Sequence, residues 1–538
     1  LTLLTLLDPL AANAAWERQY ICFDPSSFIG IGAYDETHAS ANGQIKTTGD
    51  NPFPVVMYTN NGKTWDEGAF TQPANMLFTF PLFLEVPSRD IAYLVLATMI
   101  KGLPPKPQAD FESSTNLGGT FLLSKTPPAS AVGVTPKAMY YTDKLNGWVL
   151  GVSGSSTSGA NWIAGTQDGG KTWNDKGVIA YEQDISYSKI FFINDRFGWL
   201  AGGDEGEFDS DTGEQTRNAG RGVIQYTTDG GKTWTKAVSE APYLFESIAF
   251  SDCLNGWASA TDNYKKARLF KTTNGGRRQA DWQEVTLPKY VDKKSDYTSI
   301  SAIRFFDAND GWAIAYVMSM SGKSRSYLTN LLHTTDGGKN WTNDSTYIDA
   351  AKASNGSPCC FQEIQPAICT GGMVPLAAAG AGGFAMTWPS RNTGWVTGSN
   401  AIIMKYTADT PNTAPVHRCA ACCGGKCPGD PDGGYTTSCG ETDGGAPDAQ
   451  VDSGGMPDAA NMDASTDDSG SLPDAGKDGG TKKDGGGEDS LGGCSCGTVE
   501  NTTGSDGIPA IMAGVFLLML AFLRGKRIIS RRKDQSRG

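Results

Sequence analysis

The string Thr-Asp-Gly-Gly-Lys-Thr-Trp at Thr228 to Trp234 recurs with small edits at Thr166 to Trp173 and Thr335 to Trp341, and more loosely at Thr59 to Trp65. A motif repeated along a chain of 538 residues restricts the fold to copies of one supersecondary unit, each burying its apolar face against the next. Downstream copies are preceded by a second signature, an aromatic or aliphatic run followed by Asp, a short spacer and Gly-Trp, as in FFINDRFGW ending at Trp199. The two signatures together mark one unit.

Aligned on Gly-Trp, the units centre on Trp148, Trp199, Trp257, Trp312 and Trp395. Their spacing is mostly about 50 to 60 residues, near that of kelch-type propeller blades. The last gap is longer because it holds an insertion, Ile348 to Gly383, with Cys359, Cys360 and Cys369. Strand-like runs such as Gly222 to Thr228 and Tyr327 to Thr335 lie between the signatures, so each unit reads as strand, turn, strand, loop, strand, tight turn, strand. The complete units pair Trp148 with Trp173, Trp199 with Trp234, Trp257 with Trp282 and Trp312 with Trp341. The unit at Trp395 keeps its first strands but ends in KYTADTP without a closing Trp. Ahead of these, Ile21 to Trp65 supplies a unit with the turn NNGKTW, and Met76 to Thr126 one whose turn has decayed to LLSKTPP. The expectation is an all-β chain: a single seven-bladed β-propeller of four-stranded blades over residues 16–415.

Turn chemistry explains the repeat. The carboxylates of Asp168, Asp229 and Asp336 can accept hydrogen bonds from backbone N–H groups of their own turns, with Thr172 and Thr233 beside them in the motif, while Gly170, Gly231 and Gly338 supply positive φ. Trp173, Trp234 and Trp341 then pack between neighbouring sheets. Residues that recur in every unit are expected to be framework, because one active site cannot be repeated around a ring. Asn274 replaces Asp in the unit of Trp257, and Arg278 to Asp281 lengthens the route to Trp282.

These turns resemble the Asp-box, or bacterial neuraminidase repeat, of sialidases, sortilin-type receptors and some glycoside hydrolases. The pairing of both signatures resembles the seven-bladed propellers of the photosystem II assembly and stability factor type, well over residues 130 to 410 and poorly over 20 to 130. The resemblance implies the fold; a fold hosts many activities, so it implies function weakly.

The ends carry other information. LTLLTLLDPLAANAA, residues 1–15, is similar to the end of a secretory signal with Ala12-Asn13-Ala14 as the cleavage site, a buried apolar strand being the other reading. Residues 416–440 are Cys-rich, with Cys419, Cys422, Cys423, Cys427 and Cys439. In an exported protein these read as disulfides, with zinc as the alternative. From Gly429 to Gly493 there are 15 Asp or Glu and three Lys, a net −12, with almost no aromatic residues. Such a tract cannot offset its ordering entropy, and 441–493 is read as a disordered stalk. Within 494–538, Ile508 to Leu523 is an apolar anchor followed by a basic flank from Arg524 to Lys533, which orients the rest of the chain outside the cytoplasm. Cys494-Ser495-Cys496, the apolar helix and the Arg-rich end resemble myxobacterial-type surface sorting tails, and that resemblance implies trimming and attachment through Cys494 or Cys496. The net charge of −13 is thereby mostly accounted for: after Gly493 seven basic and three acidic residues give +4, leaving −13 + 12 − 4 = −5 for residues 1 to 428. A nucleic-acid surface needs clustered Lys and Arg, and none is evident.

An active site is hard to assemble from this chain. His38, His333 and His417 are its three histidines, too few for a His-based centre, and the Arg-Ile-Pro motif of sialidases is missing. Two glycosidase carboxylates, about 5 to 10 Å apart, are not excluded among the many loop acids. The most eccentric loop, Gly202 to Arg221, places Asp209, Asp211 and Glu214 around Gly213; it reads as a solvated hairpin, with a calcium site as the weaker alternative. The sequence therefore points to an exported, surface-anchored, non-catalytic scaffold that needs no cofactor and binds a protein or glycan at a rim or the channel. The alternatives are a glycan-acting hydrolase and an assembly factor for a membrane complex. Oligomeric state is not legible.

Overall fold

The computed structural model describes residues 15–408 apart from 21–26, 46–52, 72–75, 102–105, 124–132, 154–159, 179–184, 205, 209–214, 218–219, 263–265, 289–296, 322–323, 345–384 and 399–401. The signal-like start, the Cys insertion, Asp209, Asp211, Glu214, the Cys-rich segment, the stalk, Cys494, Cys496 and the segment 508–523 all lie outside the described residues. Among the described residues no helix is long and apolar enough to cross a membrane.

The described residues open with β1 (Ala15–Tyr20), and the strands form seven four-stranded antiparallel sheets. Blade 1 is β2 (Ser27–Ala33), β3 (Ala39–Ile45), β4 (Phe53–Thr59) and β5 (Asp66–Gly68). Blade 2 is β6 (Met76–Glu85), β7 (Ala92–Ile100), β8 (Lys106–Ser114) and β9 (Leu122–Leu123). Blade 3 is β10 (Val134–Tyr141), β11 (Gly147–Ser153), β12 (Ala160–Thr166) and β13 (Asn174–Val178). Blade 4 is β14 (Ile185–Phe192), β15 (Gly198–Asp204), β18 (Gly220–Thr227) and β19 (Thr235–Ala241), with β16 (Glu207–Phe208) and β17 (Gln215–Arg217) forming a small separate ladder within the eccentric loop. Blade 5 is β20 (Tyr243–Phe250), β21 (Gly256–Asp262), β22 (Ala267–Thr272) and β23 (Gln283–Val285). Blade 6 is β24 (Ser299–Phe305), β25 (Gly311–Ser321), β26 (Ser324–Thr334) and β27 (Thr342–Asn343). Blade 7 is β28 (Ala385–Ser390), β29 (Thr393–Gly398) and β30 (Ile402–Thr407), completed by β1. The all-β, seven-bladed architecture with four-stranded blades is therefore as the repeats imply.

Two local readings are corrected. The last unit does have a fourth strand, but it comes from the other end of the described chain: β1 pairs antiparallel with β30, Ala15 opposite Thr407 and Glu17 opposite Lys405. A strand contributed across the whole repeat length leaves no local signal at Trp395. The turn of blade 2 is not LLSKTPP but Ser114 to Phe121, where Ser114, Asn116, Gly118, Thr120 and Phe121 stand for the Thr, Asp, Gly, Thr and Trp of the other turns. Leu117 occupies the first Gly position at φ 59°, a left-handed conformation that is costly for a branched side chain.

The Gly-Trp signature is a packing device. In blade 4 Phe192 lies opposite Gly198 on the paired strand, and a Cβ on that glycine would come 2.6 Å from the Phe192 ring. Gly147 under Tyr141, Gly256 under Phe250, Gly311 under Phe305 and Gly394 under Trp388 repeat the arrangement. The shielded ring then stacks on the Gly-Trp indole of the preceding blade: Trp148 on Phe192 at 3.7 Å, Trp199 on Phe250 at 3.8 Å, Trp257 on Phe305 at 3.5 Å and Trp312 on Trp388 at 4.3 Å. Each such pair adds about 0.5–1.5 kcal/mol beyond its buried area. The core thus consists of seams between blades, running continuously through blades 3 to 6.

Candidate functional site

The repeated Asp residues close the hairpin between the third and fourth strands. In blade 3 the Thr166 hydroxyl donates to Asp168 Oδ1 at 2.9 Å and accepts from the Gly170 amide at 2.8 Å. Asp168 in turn accepts from the Thr172 amide at 2.9 Å and the Thr172 hydroxyl at 2.5 Å. Asp229 with Thr227, Gly231 and Thr233, and Asp336 with Thr334, Gly338 and Asn340, reproduce the network. Burial opposes ionisation of Asp168 and Asp229, but the Thr hydroxyl and amide donors outweigh it and hold both carboxyls below the usual value. For Asp336 the Asn340 amide and side chain do most of this work.

The same turns receive the neighbouring blade. Trp148 Nε1 donates to Gly230 O at 3.1 Å, Trp199 Nε1 to Gly275 O at 3.3 Å and Trp257 Nε1 to Gly337 O at 3.3 Å. Trp234 and Trp341 donate instead within their own turns, to Gly231 O and Gly338 O, and meet the shielded rings of Phe192 and Phe305 edge-on. Trp173 approaches Tyr141 in the same edge-on way. Trp312 stacks between Trp388 and His333, the latter at 4.1 Å. Trp395 Nε1 and Trp65 Nε1 both donate to Gln19 Oε1, at 3.2 and 3.0 Å, while Gln19 Nε2 donates to Gly62 O at 2.6 Å. Gln19 is thus a buried hub joining the two end blades, which the sequence reading missed.

The Asp of the first signature caps the inner hairpin: Asp143 Oδ1 accepts from the Leu145 and Asn146 amides, and Asp252 and Asp307 act alike. In FFINDRFGW the cap is Asn194, which accepts from the Arg196 and Phe197 amides. The two described histidines also belong to such caps. His38 Nδ1 lies 2.8 Å from Asp35, and His333 Nε2 lies 3.0 Å from Asp310, which also pairs with Arg391 at 3.0 Å.

Non-repeating chemistry gathers in three places. The first is the set of inner-strand bulges: β2, β6, β10, β14, β20 and β24 each slip register, at Ile29, Leu82, Lys137, Ser188, Glu246 and Ser301, with a second slip in β6 between Met76 and Phe78. Bulges re-aim side chains, and these differ from blade to blade. Burial pushes the Glu246 carboxyl up to about 7 against hydrogen bonds from Ser299 and Thr261. Next to the bulge residue Ser188, burial pushes Lys189 down to about 8, with Glu85 of blade 2 acting against the shift. The second is a pair of carboxyls on β8, Asp110 and Glu112; burial, augmented by Asp110, pushes Glu112 up to about 8 although the Thr71 amide donates to it.

The third is an open groove between the outer part of blade 5 and the turn of blade 6, bordered by Lys271, Asn274, Asp281, Gln283, Gly337 and Lys339. The lengthened route of blade 5 supplies one wall, as a single 3-10 turn, Gln279–Asp281. Arg278 pairs with Asp281 at 3.0 Å and Arg268 with Glu284 at 2.7 Å, so the acids of this wall are neutralised. Lys271 donates to Ala308 O at 2.9 Å, and burial followed by repulsion from Lys339 lowers its pKa. The carboxylates of Asp307, Asp336 and Asp252 act against that shift, so the groove carries both signs of charge, with Lys271 and Lys339 its ammonium groups. Among the described residues no group of three or more His, Cys, Asp or Glu is arranged to hold a metal.

Seven four-stranded blades, knit by indole bonds to neighbouring turns and closed by β1, define the class as a seven-bladed β-propeller. No family model matches the chain. It is 25% identical over 147 residues to the photosystem II assembly lipoprotein Ycf48 of Synechococcus sp. (strain CC9902), a stretch covering 26% of this chain and 34% of that relative. Among solved structures it is similar to YCF48 bound to D1 peptide, with a TM-score of 0.45, 14% identity and coverage of 74% of this chain and 98% of the other. YCF48 from Cyanidioschyzon merolae gives a TM-score of 0.44 and 16% identity over 73% and 99%. The GH74 xyloglucanase from Xanthomonas campestris gives 0.37 and 11% over 72% and 74%.

Proposed function

We propose that this is an exported, surface-anchored propeller acting as a non-catalytic binding or assembly scaffold, with the groove between blades 5 and 6 as the place where an anionic protein or glycan docks. The observation that carries the reading is the division of labour among residues. Asp168, Asp229, Asp336 and the Gly-Trp indoles are committed to closing and joining blades, whereas the groove beside the lengthened route Arg278 to Asp281 occurs at one seam and is bordered by Lys271 and Lys339. Similarity to a protein named as an assembly lipoprotein supports the assembly form of this reading. Export and anchoring rest on the signal-like start and the Cys-x-Cys, apolar and basic tail.

A glycan hydrolase needs two carboxyls that substrate can reach. Asp110 and Glu112, a pair close enough for one to raise the other's pKa, are 2% and 3% exposed, so they do not serve that alternative. The test is capture of envelope proteins and acidic glycans by the full chain and by the Lys271→Glu/Lys339→Glu variant. Loss of the captured partner with unchanged Tm is the expected result. Equal capture by both would remove the groove from the reading, and polysaccharide cleavage by the purified chain would overturn the non-catalytic part.

A further inference from the structure

The seam between blades 1 and 2 differs chemically from the aromatic seams elsewhere. Asp110 and Glu112 are two residues apart on β8 and so share one face of the sheet. Their row neighbours on that face are Leu96 and Leu94 of β7. Both carboxyls are deeply buried, at 2% and 3% exposure. Each is held by one oxygen alone: Gln108 Nε2 donates to Asp110 Oδ1, and the Thr71 amide donates to Glu112 Oε2 at 3.3 Å. The other oxygens, Asp110 Oδ2 and Glu112 Oε1, accept no hydrogen bond. From blade 1, Asn42 of β3 donates its amide N–H to Pro81 O of β6 at 2.9 Å, and its own buried Oδ1 also has no donor. Pro81 stands in the same cross-strand row as Leu96 and Asp110.

Neither Asp110 nor Glu112 forms an ion pair with a described residue, in contrast to Glu85 of the same blade, which lies within electrostatic reach of Lys189. An interior lined by acceptor oxygens and short of donors is unfavourable unless something positive enters it. A single anchoring bond per carboxylate orients the second oxygen in the way that outer partners orient metal ligands. We propose that this seam binds one hard divalent cation through Asp110 Oδ2 and Glu112 Oε1, pinning blade 2 to blade 1. All the ligating atoms are oxygens, and calcium tolerates irregular oxygen sets where magnesium demands an octahedron, so calcium is the probe.

The experiment is thermal unfolding of the full chain, stripped with chelator, against CaCl2 up to about 10 mM, above the roughly 10⁻⁴ to 10⁻³ M range of extracellular calcium modules. The comparison is the Asp110→Asn/Glu112→Gln variant, which keeps side-chain shape and leaves the acidic stalk as an identical background. Calcium is expected to raise the Tm of the natural chain by about 2–4 °C and to leave the variant unmoved. If the double variant does not fold, calorimetric titration of the Glu112→Gln chain replaces it, with an expected tenfold or greater loss of affinity for one site. An equal rise in both chains, no rise in either, or unchanged affinity in Glu112→Gln overturns the site and assigns the seam to a carboxyl that keeps its proton.

Discussion

At the scale of single residues, the chain itself supplies a substitution series. Position Asp229 of one turn is Asn61, Asn116 or Asn274 in others, and Asn61 and Asn116 still accept the amides of Thr64 and Thr120. What the position requires is an acceptor oxygen, with the charge as an addition. Asp229→Asn should therefore cost less than about 0.5 kcal/mol at neutral pH, whereas Asp229→Ala, which leaves the Thr233 amide and hydroxyl without their acceptor, should cost about 1–2 kcal/mol by chemical denaturation. The charge adds a pH signature. Its hydrogen bonds hold the folded carboxyl below the ordinary Asp value, so its contribution is present above that value and is lost as pH falls through the lower folded value. Denaturation curves of the natural chain and Asp229→Asn should accordingly converge on acidification below about pH 4; a gap that stayed constant would mean the charge contributes nothing.

At the scale of elements, the decisive pairs are an aromatic ring over a glycine and a strand borrowed from afar. Gly198→Ala would place a Cβ 2.6 Å from the Phe192 ring, whose other face is committed to Trp148 at 3.7 Å. With no room to yield, the change should cost about 1–3 kcal/mol, read as a lower denaturation midpoint at unchanged m-value. Gln19→Ala removes the acceptor of two buried indole N–H groups, Trp65 and Trp395, at about 1–3 kcal/mol for each; a loss well under 1 kcal/mol would show that the hub is dispensable. These elements also mark how far the sequence could be read. Blades 3 to 6 were legible because the Gly-Trp pair and a closing Trp recur in each, with only single-letter changes such as Asn194 and Asn274 and the lengthened route to Trp282. The turn of blade 2 was not, because Ser114, Asn116, Leu117 and Phe121 keep the geometry while replacing the Thr, Asp, first Gly and Trp of the motif. Hidden for a different reason was β1, whose partner β30 follows it by nearly the whole repeat array, so no local pattern ties them. The groove of Lys271 and Lys339 exists only where two blades meet, and the buried face of β8 shows its charge imbalance only once blade 1 covers it.

At the scale of the whole molecule, the repeated framework and the non-repeating chemistry occupy different addresses. The recurring residues hold seven sheets in a ring, and the features with unclaimed chemistry sit at particular seams: ammonium groups at blades 5 and 6, carboxylates at blades 1 and 2. The pairing of β1 with β30 has a mechanical side as well. Beyond Ala408 the sequence runs on through the acidic tract to the apolar segment, so any tether there pulls on β30. That strand is not at an edge: β29 flanks it on one side and β1 on the other, and Lys405 within it reaches across to Glu36 O and Gly62 O of blade 1 at 2.7 and 3.1 Å. Tension arriving at this point is divided between two ladders and passed to the neighbouring blade, so the described chain leaves the ring from an interior strand of its sheet and not from an edge.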